Sequence, residues 1–379
     1  MSRDTIVYFG IIQYEYNNAM CQHAAGIENM IHALGYRAVT IGVSFNVRHG
    51  AYRKIKEDRY VINYPQNIKE YIKESASPKG LLAVINEIGH NRIKALIMAD
   101  YRFIPMILMA RHCKKYGIMF AADIMDRFIS GSSLVSKIKR LDSELRMRIL
   151  YPKLDRKIYI CHAYEKLLGK GKHVAVIPGV GISLCREQIE TQTERKLIRL
   201  VFLGRPGELC EKEKIDWIIK IIYLEKLTNK VELILAGFDK NKFLDKNEHL
   251  HKFLSDNIIF RGRIEHNECI KLIRSSDFSL VIRPDTVLSQ YGFSTKIGEA
   301  FSCGIPVLAT DTSDNKIYIE NGQNGFVCGA RYEDVRKMLK MVSALSKEKI
   351  EQMKMNCRNN NPLLYRNFVE QFKRVVIDK

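Results

Sequence analysis

The sequence predicts an α/β fold of two units, each a largely parallel sheet covered by helices. Three observations carry that prediction. The 379 residues exceed what one hydrophobic core usually holds. Short apolar runs alternate with helix-period segments, as in a series of strand–helix–strand crossovers. The alternation lapses once, in the polar stretch Ser183–Lys196, and then restarts. The expected domains are residues 1–183 and 197–346, with a helical tail at 347–379 crossing back to the first domain.

In the first half, Thr5–Gly10 is the first strand, followed by a loop rich in Asn and Tyr (Gln13–Asn18). A helix from Ala19 to Leu34 places Ile27, Met30, Ile31 and Leu34 on one face and stops at Gly35, a C-cap glycine. Arg37–Val43, Lys94–Ala99, Gly117–Asp123, Lys157–Cys161 and His173–Ile177 read as buried strands, with helices between them. One of those helices opens at Lys79-Gly80, just after Pro78. In the second half the strands are Leu200–Leu203, Val231–Ala236, Ile258–Phe260, Phe278–Ile282 and Pro306–Ala309. Helices near Ile215–Leu227, Glu265–Ile273 and Thr295–Cys303 separate them, and the tail is helical with a break near Pro362.

Composition narrows the function classes. No run approaches the roughly 20 apolar residues that span a bilayer, and Met1-Ser2-Arg3-Asp4 lacks the build of a secretory signal. The expected location is the cytoplasm. Nine scattered cysteines include no Cys-x-x-Cys pair, so neither a disulfide framework nor a metal is indicated. The net charge of +19 is uneven: residues 1–190 hold 29 Lys and Arg against 17 Asp and Glu, the remainder 32 against 25. Such a chain suits phosphorylated small molecules or an anionic membrane face. No nucleic-acid module signature occurs, so nucleic acid is not an expected partner. Over Leu134–Leu150, an apolar stripe of Leu134, Ile138, Leu141, Leu145 and Ile149 lies beside Lys137, Lys139, Arg140, Arg146 and Arg148. That pattern fits a helix lying peripherally on anionic lipid, and equally a surface helix packed on its core.

The densest chemical signal is Tyr291-Gly292-Phe293-Ser294-Thr295-Lys296-Ile297-Gly298-Glu299. A glycine-containing loop after a strand opens a helix at Ser294 or Thr295, whose free N–H groups make an anion site. Lys296 adds a full charge, and Glu299, one turn on, suits sugar hydroxyls. An ordinary capped helix is the plain alternative. Leu203-Gly204-Arg205-Pro206-Gly207 closes a strand, with Lys212 and Lys214 shortly after. Arg283 ends a strand on the same edge, where it can touch phosphate or pair with Asp285. In the first half Asp123 closes a strand and is the candidate base or hydrogen-bond acceptor. Asp126 is a candidate helix cap, and His23 and Asn17 are further cleft candidates.

The loop and the following Ala300-Phe-Ser-Cys-Gly-Ile-Pro-Val-Leu-Ala-Thr310 resemble the signature of family 4, or group 1, retaining glycosyltransferases. Its form is closest to a subgroup reading Gly-Phe-Pro-Thr-Lys-x-x-Glu, found in surface-polysaccharide assembly. Glu299 matches the second Glu of the family's Glu-x7-Glu stretch, and the first falls on Tyr291. Gly204, Arg205, Lys212 and Lys214 resemble the family's diphosphate grip. Phe260-Arg261-Gly262-Arg263-Ile264 resembles its nucleobase loop. Ser313-Asp314, with Gly322-Gln323-Asn324-Gly325-Phe326, resembles its later hairpin, which locally reads as a plain Asn-Gly turn. These stretches cover residues 198–330 in the family's order. The resemblance implies the GT-B fold, two Rossmann-like domains facing a central cleft, with the acceptor in the first and the donor in the second. It implies a glycosyltransferase of hexosyltransferase type moving sugar from a nucleotide-diphosphate sugar to a saccharide or lipid-linked acceptor, with retained stereochemistry. Catalytic roles would fall to Asp123, Arg205 and Lys212. Donor contacts would fall to these two cations and Gly204, Lys214, Arg261, Arg283, Gly292, Phe293, Ser294, Thr295, Lys296 and Glu299. No cofactor and no metal are implied. The competing readings are a non-catalytic sugar-nucleotide-binding subunit and a GT-B epimerase.

Overall fold

The computed structural model describes residues 3–15, 19–125, 134–181 and 195–378. The polar stretch Ser183–Lys196 lies outside these residues except for its last two positions, and Asn17 and Asp126 lie outside them altogether. The chain divides into two compact units: Met1–Val180 with Tyr365–Lys379, and Gly181–Leu364.

The strands of the first unit are β1 (Thr5–Phe9), β2 (Arg37–Ser44), β3 (Tyr52–Lys56), β4 (Arg59–Asn63), β5 (Ile93–Ala99), β6 (Met119–Ile124), β7 (Lys157–Tyr159) and β8 (Val174–Val176). Its helices are α1 (Ala19–Ala33), α2 (Ile68–Ala76), α3 (Lys79–Ile88), α4 (Phe103–Lys115), α5 (Leu134–Leu145) and α6 (Ala163–Leu168). One sheet holds all eight strands in the order β3-β4-β2-β1-β5-β6-β7-β8. β1 is buried along its whole length, as expected of a central parallel strand covered on both faces. The sequence reading omitted the hairpin β3–β4, the one antiparallel pairing of this sheet among the described residues. Its outer strand, Tyr-Arg-Lys-Ile-Lys, is exposed after the first residue. Charge of that kind protects a sheet edge and hides the strand from any search for apolar runs.

The second unit has β9 (Ile198–Leu203), β10 (Val231–Ala236), β11 (Ile258–Phe260), β12 (Phe278–Val281), β13 (Val307–Thr310) and β14 (Gly325–Cys328). Its helices are α7 (Ile215–Leu224), α8 (Lys240–Lys246), α9 (His266–Arg274), α10 (Val287–Gln290), α11 (Thr295–Ser302), α12 (Asn315–Tyr318), α13 (Tyr332–Val342) and α14 (Lys347–Asn359). The order β11-β10-β9-β12-β13-β14 is parallel throughout. The sheet thus grows one way from β9 and then the other way from β12, which makes the β9/β12 pair its switch point. Ile218, Ile219, Ile221 and Ile222 of α7 pack with Leu200, Phe202, Leu233 and Leu280 in its core.

After Pro362 the chain rejoins the first unit through α15 (Val369–Val376). Arg156 fastens it, donating to the carbonyls of Val375 and Asp378 at 2.7 Å each. Among the described residues, no helix is long and apolar enough to cross a membrane.

Candidate functional site

In an open parallel sheet the loops at the carboxyl ends of the strands leave a crevice at the switch point, and ligands bind there. In the second unit that place is crowded with backbone. Gly204, just after β9, has φ 123°, and Gly237, just after β10, has φ 106°. A Cβ added to Gly237 would lie 2.8 Å from both N and O of Gly204. Gly237 N in turn donates to Gly262 O, beyond β11, at 2.8 Å. Three strand-end loops therefore stack at a spacing that side chains would break. The loop after β9 then crosses the switch point, where Lys214 N donates to Ile282 O at 2.7 Å.

The helix α11 brings its first turn to the same turn of chain. Ser294 is its N-cap, in extended conformation, and makes no side-chain capping bond, which leaves the amino end open for an anion. Lys296 reaches Gly204: a Cβ on that glycine would meet Lys296 Cε at 3.2 Å. Lys296 Nζ pairs with Glu213 Oε1 at 2.6 Å and lies 4.5 Å from the centre of the Phe202 ring. Glu213 is 1% exposed, and its second oxygen, Oε2, has no hydrogen-bond partner. The pair and the ring hold the ammonium at the end of β9.

The remaining donor candidates divide by exposure. Arg205, Lys212 and Arg261 are exposed, while Lys214 is half-buried with its ammonium 5.6 Å from the Trp217 ring. Arg283 is buried, and its Nη1 donates to Gly292 O at 2.9 Å. Asp285 instead accepts from Gln290 at 2.8 Å, so the guanidinium braces the loop from beneath. Phe293 is also buried, edge-on to Tyr318 at 5.5 Å, and Thr295 is half-buried. Glu299 stands one turn after Lys296 on the same side of α11, and its carboxylate accepts no hydrogen bond from a described residue. Burial pushes it up to about 7, with the Lys296 charge pulling the other way.

In the first unit, Asp123 at the end of β6 is fully buried. Its Oδ2 receives the Tyr8 hydroxyl at 2.9 Å and lies 2.8 Å from His23 Nε2. Asp123 Oδ1 and His23 Nδ1 have no hydrogen-bond partner. Burial, and then the Asp123 charge, hold the Tyr8 hydroxyl far above its ordinary range. The carboxylate is thus enclosed between β1, α1 and β6.

Three of these residues escaped the sequence reading. Gly237 had a signal, because Ala236-Gly237 repeats the strand-then-glycine step of Leu203-Gly204. Glu213 sits among Glu211, Lys212 and Lys214, where charge alone marks no single residue as buried. Tyr8 lies inside an apolar strand run and reads as core.

The comparisons with known proteins divide along the same lines. Residues 198–348 match the family model of glycosyl transferases group 1. No curated protein sequence matches the chain. Among solved structures, a glycosyltransferase from Rickettsia africae superposes with a TM-score of 0.67 at 13% identity, covering 100% of each chain. Sucrose-phosphate synthase from Thermosynechococcus elongatus gives 0.69 at 12% identity over 98% of each chain. HepE from Anabaena, in complex with UDP and glucose, gives 0.62 at 14% identity over 97% of each chain. At these identities the likeness is one of fold, and the fold is GT-B, with two Rossmann-like units. Residues 198–348 are thus similar to a glycosyl transferase group 1 domain, and the chain as a whole has the fold of the glycosyltransferases it superposes on.

Proposed function

We propose that this enzyme moves a sugar from a nucleotide-diphosphate sugar to an acceptor hydroxyl with retention of stereochemistry. The observation that carries the reading is the meeting of Gly204, Lys296 and the uncapped start of α11 at the switch point of the second sheet. Backbone N–H groups, a helix amino end and a fixed ammonium suit a diphosphate, and they grow more favourable as the leaving group gains charge. Arg205, Lys212 and Lys214 supply further cations from the loop after β9, Arg261 lies beside the base, and Glu299 takes ribose hydroxyls. HepE, of like fold, is described in complex with UDP and glucose, which supports a nucleoside diphosphate as the ligand.

In this reading the departing phosphate oxygen takes the acceptor proton as the glycosidic bond breaks, so no protein nucleophile is needed. The acceptor is a saccharide or lipid-linked saccharide of cell-surface polysaccharide assembly, held by the first unit. The enzyme works in the cytoplasm, in peripheral contact with an anionic membrane face. Donor hydrolysis by the purified chain tests the reading. Release of nucleoside diphosphate from a sugar nucleotide, faster with a saccharide acceptor, is the expected result. Tight binding without turnover under any acceptor would favour a non-catalytic subunit.

A further inference from the structure

The first sheet also reverses its direction of growth, between β1 and β5, and ligands gather at the carboxyl ends of strands at such a point. There the chain leaves β5 through Asp100, Tyr101 and Arg102 and enters α4. Phe9, the last residue of β1, touches the Tyr101 ring edge-on at 4.6 Å. Arg102 is the N-cap of α4 and is only 8% exposed. Its guanidinium donates to the Tyr101 hydroxyl and lies 4.6 Å from the Tyr101 ring and 4.9 Å from the Tyr71 ring. Its Nε is buried without a hydrogen-bond partner.

Among the described residues, no carboxylate forms an ion pair with Arg102. The acids whose charges act on its two tyrosines are Glu74 and Asp142, and both are taken. His49 binds Glu74 at 2.7 Å. Arg146 binds Asp142 at 3.1 Å and Asp100 at 2.8 Å, and the other oxygen of Asp142 accepts from Phe103 N, at the start of α4, at 2.8 Å. A second cation comes to the same place, for Lys139 Nζ lies 5.8 Å over the Tyr71 ring. A buried guanidinium without a counter-ion is costly, and its planar fork matches the oxygens of a phosphate.

We propose that Arg102, with Lys139, binds a phosphate group carried by the acceptor. The inference rests on the reading that the second unit holds the donor, and it makes the acceptor a phosphorylated one. Tyr71 and Tyr101 lie against the guanidinium and limit its movement. The phosphate belongs either to a soluble sugar phosphate or to a lipid headgroup.

Calorimetric titration of inorganic phosphate decides, with the donor site first saturated by nucleoside diphosphate. Wild type is expected to bind phosphate, and Arg102→Gln to weaken it by about tenfold or more, the loss of a charged hydrogen bond. Lys139→Ala, at a half-buried position, should weaken it severalfold and carries the test should Arg102→Gln fail to fold. Nucleoside diphosphate affinity should be the same in all three proteins. Competition by a hexose phosphate would identify the soluble source, and binding to phosphatidic acid vesicles but not phosphatidylcholine vesicles the lipid one. No phosphate binding by wild type, or equal binding by all three proteins, overturns the proposal. Phosphate binding that Arg102→Gln abolishes supports it even where no nucleoside diphosphate binds, an outcome that removes the donor reading alone.

Discussion

Lys296 and Glu213 act as one unit, and substitutions at either must be read that way. Removing one partner of a buried ion pair costs about 3–5 kcal/mol, because the other charge is left uncompensated. Glu213 is almost wholly buried and the Lys296 side chain is 18% exposed, so Lys296→Ala should lower the melting temperature as well as turnover. The double change Lys296→Gln with Glu213→Gln removes both charges and keeps a hydrogen bond. Thermal denaturation should then find the fold close to wild type, while donor hydrolysis is lost. Wild-type turnover in the double variant would take Lys296 out of the donor site. Glu299 makes a separate forecast. Its carboxyl is raised from 4.5 to about 7 by burial, so the folded state binds that proton more tightly than the unfolded state does. The stability of the ligand-free protein should therefore fall as pH rises from 4.5 to about 7. Glu299→Gln should lack that slope, and melting temperatures of the two proteins across this range check it. Parallel curves would place the titration elsewhere.

The elements of the site are strand-end turns, and their geometry limits what can replace them. At Gly237 a side chain would meet the left-handed backbone and the Gly204 backbone together. Gly237→Ala should cost about 1–3 kcal/mol in strain and weaken nucleoside diphosphate binding by displacing Gly204. Gly35→Ala is the matched control: its φ is 78° but nothing lies within 4 Å of an added Cβ. It should lose about 1–2 kcal/mol with nucleotide affinity unchanged, as denaturant titration and calorimetry would show. Equal affinity in both variants would separate Gly237 from the site. The strands β1, β2, β9 and β10 were legible in the sequence because parallel strands covered on both faces are continuous apolar runs. The hairpin β3–β4 was not, since its outer strand is charged and exposed. The loop that opens α11 was legible from its glycine, lysine and helix start. Which of its cations would be buried was not, because Arg283 and Arg205 each follow a strand end and differ only in what packs around them.

At the scale of the whole chain, the polar lapse and the return of the alternation were visible in the sequence. The fastening of α15 to Arg156 depends on backbone carbonyls and leaves no pattern. The charge excess of the first half has a structural counterpart. On the stripe that begins at Leu134, whose side chain lies outside the described residues, Leu141 is 62% exposed and Ile149 is 41% exposed. Lys137, Arg140 and Arg148 are exposed with them. Anionic vesicles should therefore retain the protein in co-sedimentation, and retention should fall with salt. Leu141→Asp with Ile149→Asp should release it without changing the melting temperature. Retention indifferent to lipid charge and to salt would remove the membrane contact. The central claim is that the second unit holds a nucleotide diphosphate at the β9/β12 switch point. Calorimetric titration of UDP, GDP and ADP into wild type and Glu299→Gln tests it most directly. One nucleotide should bind wild type and lose about 1.5–3 kcal/mol of affinity in the variant, as for one charged hydrogen bond. Equal affinity in the two proteins, or no binding of any nucleotide to wild type, would contradict it.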